Sequence, residues 1–274
     1  MSLRLYLLAG LTLALAVVLS APPAAAQSVD AVIDKMKAAH AEQLDVVDNY
    51  IIETNKYTSY HQKPSDDAQL YDTQTEWAED AGMLQDTPIQ FQSHRIDPDD
   101  LDRFADHATY GGEETIDGAP VHALILEDAS AMMEDAPQQG ADMSGSMTLY
   151  VHADDYVPVR VAYTGQMQQQ GETIEVNPVI RFLDYRTTDG LTVPHRIEMQ
   201  MADLDEMMSP EQQEMARDNL EQREERLDQM GEQQRAMMEG QLEQMRQILD
   251  DGGVEFTIEV QRVTVNEGIP DGIF

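Results

Sequence analysis

The fold is decided by one stretch of the chain, Val179-Ile-Arg-Phe-Leu-Asp-Tyr-Arg-Thr-Thr-Asp-Gly-Leu-Thr-Val-Pro-His-Arg-Ile-Glu-Met-Gln-Met201. It contains two extended runs on either side of Asp189-Gly190. One side of the second run carries the apolar residues Val193, Ile197, Met199 and Met201. Alternation with a period of two is typical of a half-buried antiparallel strand. Asp-Gly suits a type I′ turn because both central positions need a positive φ. The stretch therefore predicts a β-hairpin.

The same alternation recurs on both sides of this hairpin. Thr115–Glu127 reads as a turn followed by a strand, and Met147–Gln166 reads as a hairpin that turns at Asp154-Asp155. Val254–Val265 is a closing strand whose alternation shifts phase, which predicts a β-bulge or a bend near Gln261-Arg262. An antiparallel sheet of this kind has one apolar face, and that face must be covered or must bind something.

Three regions read as helical, and the shortest starts at Asp97-Pro98 with Leu101 and Phe104 as its inward residues. Ser28–Gln43 begins with a capping serine, and it is followed by a strand-like run, Val46–Tyr60. A second helical region starts at Ser209-Pro-Glu-Gln212 and stops at Asp250-Asp-Gly-Gly253. We read residues 203–252 as a helical insertion between two strands. Its methionines either pack against the sheet or form an adaptable apolar surface.

Residues 1–26 have the pattern of a secretory signal peptide. Arg4 supplies the positive charge, Leu5–Leu19 is apolar, and small residues precede a predicted cleavage after Ala26. We therefore expect an exported, periplasmic protein whose single domain spans residues 27–274. The chain has no cysteine, which excludes disulfides, thiolate metal sites and an N-terminal lipid anchor.

The formal net charge of -35 excludes most anionic partners. A field of this sign repels phosphate backbones and anionic lipid headgroups, so we predict that the protein does not bind nucleic acid. The sequence also lacks a Gly-x-Ser-x-Gly elbow, a phosphate-binding glycine loop and a His-Glu-x-x-His motif. We predict no catalytic residues, no metal and no cofactor, with hydrolase activity as the least favoured alternative.

Three pieces of the sequence, in this order, resemble the outer-membrane lipoprotein-sorting (Lol-type carrier) superfamily. They are Leu149-Tyr-Val-His-Ala-Asp-Asp-Tyr-Val-Pro-Val-Arg160, Phe182-Leu-Asp-Tyr-Arg-Thr-Thr-Asp-Gly-Leu-Thr-Val-Pro-His-Arg-Ile197, and Val263-Thr-Val-Asn-Glu-Gly-Ile-Pro-Asp-Gly-Ile-Phe274. Together, pattern and resemblance predict an α+β fold. The sheet is expected to be antiparallel and strongly curved, an incomplete β-barrel covered by helices.

The resemblance implies a non-enzymatic carrier that moves acylated lipoproteins or lipids toward the outer membrane. Its expected partners are that cargo and transport proteins of the inner and outer membranes. An acyl chain needs a concave apolar cavity, because each exposed CH₂ costs about 0.8 kcal/mol. The candidate lining residues are Trp77, Phe91, Leu124, Leu126, Val161, Tyr163, Phe182, Ile197 and Met199. Ordinary core packing is the alternative for each of them. The alternative function is an exported acidic scaffold whose inserted helix binds a partner.

Overall fold

The computed structural model describes residues 27–65, 68, 70–78, 81, 98–132, 143–169, 172–201, 210–227, 242, 246, 249–250 and 252–274. The predicted signal peptide, Phe91 and much of the insertion lie outside these residues. The elements in chain order are α1 (Val29–Val46), β1 (Asn49–Thr54), β2 (Tyr57–Gln62), β3 (Asp72–Trp77), α2 (Pro98–His107), β4 (Ala108–Ile116), β5 (Ala119–Leu126), a 3₁₀ turn (Ala129–Met132), β6 (Met143–His152), β7 (Pro158–Gln169), β8 (Glu172–Val176), β9 (Val179–Thr188), β10 (Leu191–Met201), α3 (Pro210–Leu227) and β11 (Val254–Val265).

The strands form one large antiparallel sheet. Its order is β3-β2-β1-β11-β10-β9-β7-β6-β5-β4, and β8 pairs with β7 beside this path. Among the described residues the two edge strands, β3 and β4, do not pair with each other, so the sheet is not closed into a barrel. The sheet-dominated α+β class therefore agrees with the prediction.

Helix α1 begins where the sequence predicts. The side chain of Ser28 accepts a hydrogen bond from the backbone N–H of Ala31 at 3.2 Å, which caps the first turn. The helix continues to Val46, three residues past the predicted end at Gln43. A contact with the sheet accounts for the extension. The Gln43 side chain accepts a hydrogen bond from the backbone N–H of Thr192 in β10 at 2.8 Å.

The hairpin predicted at Val179–Met201 is present. Strands β9 and β10 flank Asp189 and Gly190, whose φ angles of 47° and 90° are both positive. The predicted bulge in β11 is also confirmed. Arg262 pairs with Glu53 and Val260 pairs with Thr54, so Gln261 is the extra residue of the register shift.

The strand-like run Val46–Tyr60 is divided differently from the prediction. It contains the end of α1 and two strands, β1 and β2, joined by a turn at Asn55-Lys56. The side chain of Asn55 donates to Thr257 O at 3.2 Å and accepts from Glu259 N–H at 2.9 Å. These contacts to β11 hold the turn in place.

Two Asp-Gly turns offer a matched test of how α1 is seated on the sheet. Gly190 and Gly118 have φ angles of 90° and 86°. A Cβ at Gly190 would lie 2.6 Å from Val46 Cγ2, whereas a Cβ at Gly118 would meet nothing within 4 Å. We expect Gly118→Ala to lower the free energy of unfolding by about 1–2 kcal/mol because of its φ.

Gly190→Ala should lower the free energy of unfolding by about 1 kcal/mol more than Gly118→Ala does, because the new methyl group also displaces the end of α1. Urea denaturation followed by circular dichroism measures both values. Equal losses for the two variants would show that Val46 does not press on the hairpin.

Candidate functional site

A row of apolar side chains crosses seven neighbouring strands of the sheet. Residues that pair directly across antiparallel strands point to the same face, so the pairing register defines the row. Its members, which we call the apolar row, are Tyr110, Leu124, Leu149, Val161, Ile180, Met199 and Phe256. The face that carries this row is called the apolar face below.

Seven of the nine predicted lining residues lie on the apolar face. Leu124, Val161 and Met199 belong to the row itself. The others lie two residues along their strands on either side of it: Leu126, Tyr163, Phe182 and Ile197. Alternation within each strand predicted these orientations, and strand pairing brings them together.

The remaining two predicted residues differ from this group. Phe91 lies outside the described residues. Trp77 is on edge strand β3, is 38% exposed, and contacts the ring of Tyr57 edge-on with 5.3 Å between centroids. Tyr57 packs with Phe182 and Ile197, so Trp77 touches the apolar face only at its margin. Burial raises the pKa of Tyr57 to about 12, so its hydroxyl stays neutral at physiological pH.

The apolar face is covered unevenly. One buried cluster joins Val32 and Ile33 of α1 to Phe104 of α2 and to Leu124 of β5. A second buried cluster lies on β9, β10 and β11 and includes Met199. Leu149 and Val161, the row members between Leu124 and Ile180, are only half-buried. The middle of the row is therefore more accessible than the two clusters that flank it.

A polar group lies at one end of the apolar face, and the sequence analysis did not identify it. His122 precedes Leu124 by two residues on β5 and is buried. Its Nδ1 atom lies 3.1 Å from the Tyr110 hydroxyl and 4.0 Å from a Glu113 carboxylate oxygen. Its ring stacks on Tyr156 with 6.0 Å between centroids, and Lys35 Nζ of α1 lies 4.3 Å from the centroid of the same Tyr156 ring.

Burial is the main cause of a lowered pKa at His122, which the charge of Lys35 lowers further and the charge of Glu113 raises. The folded protein binds this proton less well than the unfolded chain does. The contribution of His122 to the free energy of unfolding should therefore be complete above about pH 6.5 and be lost as the pH falls below that value. We expect His122→Gln to flatten this pH dependence.

The measurement is the free energy of unfolding in urea at about pH 7.5 and about pH 5.5, which lie above and below the ordinary histidine pKa. His107→Gln, which changes an exposed histidine at the end of α2, is the matched control and should leave the dependence unchanged. An identical pH dependence in wild type and His122→Gln would show that His122 does not cause the loss of stability at low pH.

His152 and Asp155 have a structural role in the turn between β6 and β7. His152 lies 3.2 Å from a carboxylate oxygen of Asp155 and accepts a hydrogen bond from its N–H, which braces the β6–β7 turn. No group of three or more histidine, aspartate or glutamate side chains among the described residues is arranged to hold a metal ion. None of the helices described has both the length and the apolar character needed to cross a membrane.

Comparison with known proteins gives one similar structure. No protein-family model and no curated protein matches the chain. A solved DUF1329 family protein from Desulfovibrio piger is similar over 89% of this chain and 95% of its own, with a TM-score of 0.40 and 11% identity. These values are too low to support an inference about fold or function.

Proposed function

We propose that this protein is an exported carrier that binds the acyl chains of lipoproteins or lipids on the apolar face and moves them toward the outer membrane. The observation that carries the proposal is the apolar row, which runs across seven strands and has half-buried members in its middle. An acyl chain laid along such a row would remove both its own methylenes and these side chains from water.

An unpartnered polar group beside the row supports an acylated ligand. The hydroxyl of Tyr163 is buried and has no hydrogen-bond partner in the described part of the protein. A buried hydroxyl without a partner is destabilising, and it can donate to the carbonyl oxygen of an ester or amide. Acyl chains on lipids and lipoproteins carry such a carbonyl at their polar end.

The resemblance to the lipoprotein-sorting superfamily supports the same proposal. Its first two pieces correspond to the β6–β7 and β9–β10 hairpins, and its third is the end of β11 with the C-terminal segment. In this proposal the signal peptide directs the chain to the periplasm. The sheet curves into an incomplete barrel with helices over its concave side, and residues 203–252 are an addition to the carrier domain.

Displacement of a fluorescent fatty acid from the purified protein tests the carrier directly. The carrier predicts saturable binding at about one chain per protein, competed by unlabelled acyl lipids. Tyr163→Phe should weaken binding of an acyl ester by up to about tenfold, the value of one hydrogen bond, and leave an alkane probe unaffected. Absence of saturable binding would contradict the carrier.

The acidic scaffold is the second candidate, and one helix favours it. Helix α3 exposes 58% of Met215 on an otherwise polar surface. Arg217 of this helix donates to Leu249 O at 3.4 Å, and Leu249 and Leu242 are both buried. The insertion thus combines packed leucines with an exposed polar helix.

Deleting residues 205–251 separates the two candidates. The scaffold predicts that the shortened chain still takes up lipid and loses a protein partner that the full chain binds. The carrier makes a different prediction: substitutions on the apolar face should change lipid uptake and leave partner binding unchanged. Circular dichroism must first show that the shortened chain retains its strands.

A further inference from the structure

Two arginines form a directly opposed pair on the face of the sheet opposite the apolar row. Arg160 of β7 pairs with Arg181 of β9 in the strand register. Like charges directly opposite each other are destabilising in a sheet. The pair is unexpected in a chain with 17 basic and 52 acidic residues, in which carboxylates are available to separate them.

The surroundings do not neutralise Arg160. Its guanidinium lies 5.6 Å from the ring centroid of Tyr150, which packs against the cation without supplying a counter-charge. Its Nε atom is buried and has no hydrogen-bond partner in the described part of the chain. Arg181 lies 3.7 Å from a Glu198 carboxylate oxygen, but Arg196 also binds that carboxylate at 3.2 Å. One carboxylate thus serves two arginines, and no carboxylate in the described part of the chain forms an ion pair with Arg160.

Both arginines line one cavity of about 150 Å³. This is the liquid volume of roughly five water molecules, well below the ~300 Å³ of a typical drug-sized site. It is large enough for a small oxyanion such as a phosphate group and too small for a whole lipid.

One residue of the cavity lining also belongs to the apolar face. Phe182 lines the cavity and at the same time belongs to the buried cluster that contains Ile197 and Met199. The two arginines point to the opposite face, so the sheet separates an anion held between them from the apolar row.

Two carboxylates line the cavity as well, and they limit what it can bind. Asp184 is engaged by Arg186, whose Nε donates to it at 3.3 Å. Asp117, at the tip of the β4–β5 turn, is exposed and faces the same cavity. Its charge disfavours a dianionic phosphate and favours the single charge of a phosphodiester.

We propose that Arg160 and Arg181 form an oxyanion site that takes a phosphate or phosphodiester group. The oxyanion site does not rest on the carrier function, because the arginines and the apolar row lie on opposite faces of the sheet. Arginine suits the role because its planar fork donates two parallel hydrogen bonds to a phosphate.

Isothermal titration calorimetry of the purified protein at about 0.15 M salt tests the site, because long-range repulsion from the acidic surface is then screened. The probes are inorganic phosphate, dihexanoyl phosphatidylglycerol below its micelle-forming concentration, and dihexanoylglycerol, which has no phosphate. Arg181→Gln and Arg160→Gln should each weaken phosphatidylglycerol binding by about tenfold, the value of a charge-assisted hydrogen bond. Neither should alter binding of dihexanoylglycerol.

Two further variants sharpen the test. Arg262→Gln also removes one positive charge, but from an exposed arginine on β11 that pairs with Glu53. It should change the affinity for phosphatidylglycerol by less than about twofold. Asp117→Asn should tighten binding of both phosphate probes, and asparagine tolerates the positive φ of 51° at this position.

The outcomes distinguish the oxyanion site itself from the source of the anion that it binds. If neither arginine variant weakens phosphate or phosphatidylglycerol binding more than Arg262→Gln does, the oxyanion site is overturned. If inorganic phosphate binds as tightly as phosphatidylglycerol and depends on both arginines, the site stands and the lipid headgroup is overturned. If dihexanoylglycerol does not bind while phosphate does, the carrier function fails and the oxyanion site remains.

Discussion

Leu124→Ala is expected to lower the free energy of unfolding by about 2–5 kcal/mol. Leu124 is 0% exposed and packs in the cluster that joins α1 and α2 to the sheet. Truncation removes its buried methyl groups and leaves a cavity that the helices and strands around it fill only in part. A loss of this size is a large fraction of the ~5–15 kcal/mol that stabilises a typical domain.

Urea unfolding monitored by circular dichroism measures this loss. Met215→Ala is the matched control, because it truncates an apolar side chain that is 58% exposed on α3. It should change the stability by no more than about 0.5 kcal/mol. Similar losses for Leu124→Ala and Met215→Ala would mean that α1 and α2 do not pack on the sheet as described.

Val161→Trp is expected to reduce binding of an acyl chain more than about tenfold while the protein stays folded. Val161 is half-buried and lies between Leu149 and Ile180 in the middle of the apolar row. An indole ring at this position would occupy space that an acyl chain uses. Exclusion of two methylenes at about 0.8 kcal/mol each accounts for a change of this size.

Ala162→Trp is the matched control for this variant. Ala162 is the next residue on β7 and therefore points to the opposite face of the sheet. It should leave acyl binding within about twofold of wild type, with both variants compared by displacement of the same fluorescent fatty acid. Equal binding by Val161→Trp and wild type would indicate that Val161 is ordinary core.

Local sequence patterns predicted the elements whose causes are local. The capping serine of α1, the Asp189-Gly190 turn and the bulge at Gln261 each depend on residues within a few positions of one another. The orientation of the lining residues followed for the same reason, since alternation within a strand fixes which face a side chain takes. Seven of the nine candidates could therefore be assigned to one face before the structure was known.

Features that depend on distant pairing could not be predicted in this way. The turn at Asn55 is held by strand β11, whose residues are about 200 positions away in the sequence. Arg160 and Arg181 meet because β7 pairs with β9 as well as with β8, and no local pattern indicates that arrangement. The environment of His122 combines α1, β4 and the β6–β7 turn, so its contacts depend on the assembled fold.

The central claim is that the apolar face carries an acyl chain, and native mass spectrometry with lipid extraction tests it most directly. The protein would be purified from its own source and measured without added lipid, then again after lipid is offered. The carrier predicts a stoichiometric acyl-chain adduct, and the extracted lipid would identify the class of cargo. A mass that matches the bare polypeptide, with no uptake of the offered lipid, would contradict the carrier.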